Sequence, residues 1–213
     1  MNKILMNEVI DGIRFDKLKD NVINVLRNER KVIYLDSSDF SNYEFNLEEN
    51  AYLEINKIYN LGSSKRDINE EVTINLNGIN SQVLYNFRTL SSSNQKYIIN
   101  VNHNNKNTIS NVINRAVVLN DSRIIFEVNA SVEKGNSGSV LNQENKIITM
   151  GDNNSEIRPN LYIDEFDVEA RHSAIIGKFD KNEIFYLMMK GISYDKANEL
   201  LVKGFLKSHI GGD

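Results

Sequence analysis

The sequence predicts a mainly β fold with helices at its two ends, and three observations carry that prediction. Short runs rich in β-branched and aromatic residues fill the middle of the chain, and several alternate apolar with polar positions, as Val72, Ile74 and Leu76 do. Clusters of Asn, Asp, Ser and Gly separate those runs. At either end the apolar residues recur every three or four positions instead, which is the helical period.

The elements follow in order. Residues 1–28 predict a short N-terminal helix, from Ile10, Ile13, Leu18, Val22, Val25 and Leu26 among charged neighbours. Residues 29–178 predict the β core. Its runs begin at Val32, Tyr52, Val72, Val83, Tyr97, Ile113, Ile124 and Ile147. The turns between them fall at Asn77-Gly78, Ser91–Asn94, Asn102–Asn105, Asn120–Ser122 and Lys134–Ser139. Asn suits such turns because it tolerates the left-handed backbone conformation. Residues 179–213 predict a pair of helices. Asp180 is the expected cap of the first, with Glu183 as capping-box partner, and Ile184, Phe185, Leu187 and Met188 form its stripe. Gly191 closes it in the left-handed position after the last turn. Ser193 or Tyr194-Asp195 opens the second, lined by Ala197, Leu200, Leu201, Phe205 and Leu206. Uneven strand spacing and the lack of an exact repeat leave sandwich, barrel and β-helix open.

Composition excludes more than it assigns. A net charge of −4 over 213 residues gives no basic footprint for nucleic acid. No apolar run approaches the length of a membrane span, and Asn7 and Glu8 break the N-terminal apolar stretch, so the expected location is the cytoplasm. With no cysteine, the chain has no thiolate nucleophile and no cysteine-ligated metal or cluster. The three histidines show no ligand spacing: His103 reads as a polar turn residue, His209 lies near the end, and His172 sits between Arg171 and Ser173. Glu169 would lie on the opposite strand face from His172. Lys134–Ser139 is Gly-rich but lacks the Gly-Lys-Ser/Thr ending of a phosphate loop. Its Gly-Asn-Ser-Gly is similar to the Gly-Asp-Ser-Gly around the serine of trypsin-like proteases, with Ser137 as nucleophile and His103 as the only base on offer.

From Pro159 the chain reads, in order, Pro-Asn-Leu-Tyr-Ile, Val168-Glu-Ala-Arg-His172, Phe185-Tyr-Leu, Gly191-Ile-Ser and Leu200-Leu-Val-Lys-Gly-Phe-Leu206. This ordered set resembles the C-terminal signature of the SufB/SufD family, the scaffold proteins of the SUF system of iron–sulfur cluster assembly. The likeness begins near Asn114 and strengthens after Pro159. The family's SufB members carry a cysteine on the strand upstream of the histidine, where this chain has Gln143-Glu-Asn-Lys-Ile-Ile. That segment and the retained His172 resemble SufD more than SufB, so the chain is read as a short SufD-like member.

The resemblance implies a right-handed parallel β-helix core with a short N-terminal helix and a C-terminal helical pair. It implies a non-catalytic scaffold subunit without an intrinsic cofactor, with iron or a cluster held transiently at a subunit interface and His172 as the metal ligand. It implies that Leu161, Ile163, Val168 and His172 meet a SufB-like paralogue or a second copy. Phe185, Tyr186, Gly191, Ile192, Ser193, Tyr194, Lys203 and Phe205 would dock a SufC-like ABC ATPase, whose nucleotide-driven dimerisation would open the interface at His172. The alternative is a stand-alone β-helix with carbohydrate-active or other hydrolytic activity.

Overall fold

A computed structural model describes residues 13–36, 42–61, 66–152 and 154–207. Among these residues the strands are β1 (Val22–Val25), β2 (Arg30–Asp36), β3 (Tyr43–Leu47), β4 (Tyr52–Leu61), β5 (Ile68–Leu76), β6 (Gln82–Ser91), β7 (Gln95–His103), β8 (Ile109–Val118), β9 (Ile124–Val132), β10 (Ser139–Thr149), β11 (Glu156–Ile163) and β12 (Val168–Gly177). Two helices follow, α1 (Lys181–Met189) and α2 (Tyr194–Lys207).

The odd strands form one parallel sheet in the order β1-β3-β5-β7-β9-β11, and the even strands form a second, β2-β4-β6-β8-β10-β12. Each successive pair of strands therefore makes one coil stacked on the last, which is the β-helix that the resemblance implies. Partners in neighbouring coils stand 22 to 31 residues apart, from Arg30 and Tyr52 at the start to Asn114 and Asn145 further on. That offset is too uneven to show as a sequence repeat.

Side chains alternate across each strand, so every second residue enters the space between the sheets. Phe45, Ile74, Tyr97 and Phe126 enter from the odd sheet; Ile55, Tyr59, Tyr85 and Phe87 enter from the even one. The aromatic rings meet edge to face, with Phe87 and Tyr97 centroids 4.5 Å apart and Phe87 and Phe126 5.9 Å apart. Such contacts add to the hydrophobic gain of burying the rings.

The asparagines have two jobs. Asn28, Asn50, Asn80, Asn107 and Asn120 take positive φ values of 56° to 60° at the corners, where their short polar side chains tolerate the left-handed conformation. Others stack on the outer face of the odd sheet. Asn102 Nδ2 donates to Asn75 Oδ1 and Asn75 Nδ2 to Asn46 Oδ1, at 2.8 and 2.9 Å. A second ladder runs from Asn160 through Asn129 to Asn100. In each, an amide donates to the preceding coil and accepts from the following one.

The N-terminal helix expected over 1–28 is not what the described part of that segment forms. Ile10 lies outside the described residues, and Val22–Val25 is strand β1, paired in parallel with β3. Ile23 and Val25 point inward. The three- and four-residue spacing of Val22, Val25 and Leu26 mimicked a helix, while the β-branched run Val-Ile-Asn-Val favoured the pleated sheet.

The C-terminal pair forms as expected. Asp180 caps α1 by accepting from Asn182 N, and Gly191 takes φ 83° after its end. No residue of α1 is fully buried. In α2 the buried residues are Ala197, Asn198, Val202 and Leu206, whereas Leu200, expected in the stripe, faces outward. Val202 and Leu206 pack with Ile58, Leu90, Val117 and Ile148 on the outer face of the even sheet. Arg115 reinforces this contact by donating to the Phe205 carbonyl at 3.3 Å.

Candidate functional site at the open end of the coil

A stack of coils buries its interior everywhere except at its first and last coils, where the inward side chains have no neighbouring coil on one side. The end formed by β11 and β12 is in that condition. The inward positions are Leu161 and Ile163 on β11 and Val168, Ala170, His172, Ala174 and Ile176 on β12, following the register onto β9 and β10. Leu161, Val168 and Ala170 still pack on a small cluster of Ala130, Val132 and Leu141. Ile163, His172, Ala174 and Ile176 are exposed. All four residues expected at a scaffold interface thus share this one face.

The rim adds more apolar surface. Tyr162 and Ile175 are exposed, and Phe166 is 102% exposed at the tip of the β11–β12 turn. That turn is held in place: Glu165 accepts from the backbone N–H of Gly135 and of Phe166, both at 2.8 Å. These bonds, the Gly135 one first, pull the Glu165 carboxyl below its ordinary pKa. β11 and β12, each at the edge of its sheet, also present along one side backbone hydrogen-bonding groups that pair with no described strand, which is the template for adding another strand.

His172 lies near the middle of β12 rather than at a strand end, and directly above Gln143 in register. Its outward neighbours Glu169 and Arg171 form an exposed ion pair at 3.7 Å on the other strand face. A cleft of about 460 Å³ opens beside His172, with Gln143, Asn145, Glu144, Arg171 and Ser173 in its wall. Among the described residues no three His, Cys, Asp or Glu side chains come together as a metal cage. A neutral imidazole is a competent iron ligand, but a lone imidazole offers one donor and cannot by itself make a metal cage.

The residues expected to dock an ATPase divide between two surfaces. Phe185, Tyr186 and Tyr194 are exposed, with Met188 and Met189 beside them. Gly191 and Ser193 are exposed at the turn, and Ile192 is half-buried. Lys203 is tied to Glu199 at 2.7 Å. Phe205 turns toward the sheet, edge to face with Phe179 and under the cations of Arg115 and Lys146.

Polar side chains also lie inside the coil, and the sequence did not announce their burial. Lys57 and Glu70 form an ion pair with side chains only 1% exposed, and the Tyr59 hydroxyl donates to Glu70 at 2.8 Å. His103, expected in a turn, is instead fully buried at the end of β7. Its ring nitrogens meet the hydroxyls of Thr108 and Ser110 at 2.7 and 2.8 Å. Burial lowers its pKa to about 4. With both nitrogens so engaged it forms no nucleophile–base pair with Ser137, which sits in the turn before β10. His209 lies outside the described residues. No helix among the described residues is long and apolar enough to cross a membrane.

Comparison with known proteins agrees with this architecture. The family model described as "SUF system FeS cluster assembly, SufBD core domain" matches residues 26–205. The iron–sulfur cluster assembly protein SufD of Bacillus subtilis is 28% identical over 113 residues, 53% of this chain and 26% of that protein. An iron–sulfur cluster assembly SufBD family protein of Mycobacterium leprae is 30% identical over 106 residues, 49% of this chain and 12% of that protein. A SufBD family protein of Staphylococcus haemolyticus is 26% identical over 106 residues, 49% of this chain and 23% of its own length. The matched segment is thus about a quarter or less of each relative.

Proposed function

This chain belongs to the SufB/SufD family, and from that premise we propose that it is a SufD-like, non-catalytic subunit of an iron–sulfur cluster assembly scaffold. The observation that carries the reading is the last coil, which no described residue covers. A soluble solenoid needs its terminal coil capped by polar residues; here Ile163, Phe166, Ile175 and Ile176 are exposed beside two open strand edges. A SufB-like paralogue or a second copy that adds its own strands to β11 and β12 would cover those side chains and continue the asparagine ladder from Asn160. Iron or a nascent cluster is then cargo at that junction, with His172 as this chain's ligand and the remaining ligands from the partner. The exposed Phe185, Tyr186, Met189 and Tyr194 of the helical pair are the surface offered to a SufC-like ABC ATPase.

The test is anaerobic co-purification with the SufC-like ATPase and any SufB-like protein of the same genome. A stable complex that gains iron and sulfide only with all subunits present is expected. Loss of iron loading in His172→Ala, with the complex intact, is expected next. A chain that stays alone and leaves the ATPase unaltered would overturn the reading.

A further inference from the structure

Gln143 carries a contradiction that the assembly reading leaves unused. Its residue is only 4% exposed, yet neither Nε2 nor Oε1 of its amide has a hydrogen-bond partner among the described residues. A buried amide left unpaired is costly, because it has lost water and gained nothing in return. Its surroundings say where a partner can come from. Below it in register stands Val112, which cannot pair. Along its own strand the inward neighbours are Leu141 and Asn145. Asn145 is engaged already, its Oδ1 by Asn114 Nδ2 at 2.7 Å and its Nδ2 toward the Ser173 carbonyl at 3.5 Å. Leu141 itself packs on Ala130 and Val132, which have no polar side-chain atoms to offer. Above it stands His172, polar, exposed and in direct register, and the two share one cleft.

We propose that Gln143 is the positioning residue of His172: its amide oxygen accepts from one imidazole N–H, which fixes the ring tautomer and leaves the other nitrogen, with its lone pair, directed out of the open end. The exposed ring is free to turn, whereas the buried amide is held, so the amide sets the geometry and the ring follows. A ligating imidazole needs such a partner on its second nitrogen to fix orientation and raise basicity. The proposal rests on the reading of His172 as a ligand, but its first test does not.

That test is the ¹⁵N signature of the His172 ring in the full chain without metal, for wild type, Gln143→Met and Gln143→Glu. Methionine keeps the length and removes the amide; glutamate keeps an acceptor oxygen. Unequal ring-nitrogen shifts of a single tautomer are expected in wild type, averaged shifts in the Met variant, and a restored preference in the Glu variant. Averaged shifts in wild type, or an unchanged signature in the Met variant, would overturn the proposal. Circular dichroism checks that each variant folds, and Gln143→Leu stands in if methionine does not. Iron loading of the assembled complex separates the two ideas. If His172→Ala loads iron normally while the ring signature still depends on Gln143, the ligand reading fails and the positioning stands. If His172→Ala loses iron and Gln143→Met leaves both signature and loading unchanged, the positioning fails alone.

Discussion

Glu70→Gln is the substitution that tests most directly how the interior of this coil is held. Glu70 and Lys57 come from opposite sheets and meet where both side chains are 1% exposed. Taking two charges out of water is costly, and only their mutual attraction and further hydrogen bonds offset it. Tyr59 supplies one such bond. Neutralising Glu70 alone leaves Lys57 buried without its counter-ion, which costs about 3–5 kcal/mol in comparable pairs. The Tyr59 and Phe87 rings, 5.1 and 5.3 Å from Lys57 Nζ, still face the cation and favour the low end of that range. For a domain of this size each kcal/mol moves the midpoint by roughly 2–4 °C. The expected loss is therefore roughly 6–20 °C in thermal unfolding, with a matching drop in urea midpoint at constant m-value. Lys57→Met combined with Glu70→Gln keeps an acceptor for Tyr59 and removes both charges, so it should return to within about 2 kcal/mol of wild type. A single variant costing less than about 1 kcal/mol, or a double variant costing the sum of both singles, would refute the reasoning.

Other consequences can be checked with the same assays. Burial lowers the pKa of His103 to about 4 from an unfolded value near 6.5; the unfolded chain then binds the proton first, so stability is full above pH 6.5 and falls as pH drops toward 4. This contributes about 3 kcal/mol between those limits, and His103→Gln should remove that part of the urea-midpoint slope against pH. At the corner, Asn80 has φ 59°; Asn80→Ala should cost about 1–2 kcal/mol of backbone strain, and Asn80→Gly appreciably less, as read by urea denaturation. A Cβ on Gly78 would run into the backbone of Glu48 and Glu49, so Gly78→Ala should destabilise by about 1–3 kcal/mol, measured by thermal melting.

The parts of the fold that were legible in sequence are those whose signal is local. Val72-Thr-Ile-Asn-Leu alternates and is a strand with Val72, Ile74 and Leu76 inside. Tyr43-Glu-Phe-Asn-Leu alternates as cleanly and is strand β3, although it went unread between polar neighbours. The winding itself was not local. It depends on which residue stacks on which, and coil offsets that vary from 22 to 31 residues hide that register. The Lys57–Glu70 pair left only a faint mark, a lysine at an inward position of the run Ile55-Asn-Lys-Ile-Tyr. The helical pair was legible from its three- and four-residue period and the Asp180 cap, whereas the expectation for His172 came from family motifs alone, because neither spacing nor composition marks a lone histidine. Gln143 could not stand out, since only the finished stack shows that its amide is buried.

The register also shows how the coil changes along its length. One inward column reads Ile55, Tyr85, Val112, Gln143, His172, and the next reads Lys57, Phe87, Asn114, Asn145, Ala174. Toward the C-terminal end large apolar groups give way to amides, an imidazole and a methyl. A core that merely ended would place charge or a covering segment over its last coil. This end instead combines polar inward side chains with exposed isoleucines and an exposed phenylalanine. That mixture is too polar for a core and too apolar for a solvated cap, and it is the composition expected of the proposed interface, in which a partner's strands would supply the missing neighbours. The asparagine ladders strengthen the point, because each amide passes its hydrogen bond from one coil to the next, and Asn160, donating to Asn129, stands at the end of its ladder on the last coil.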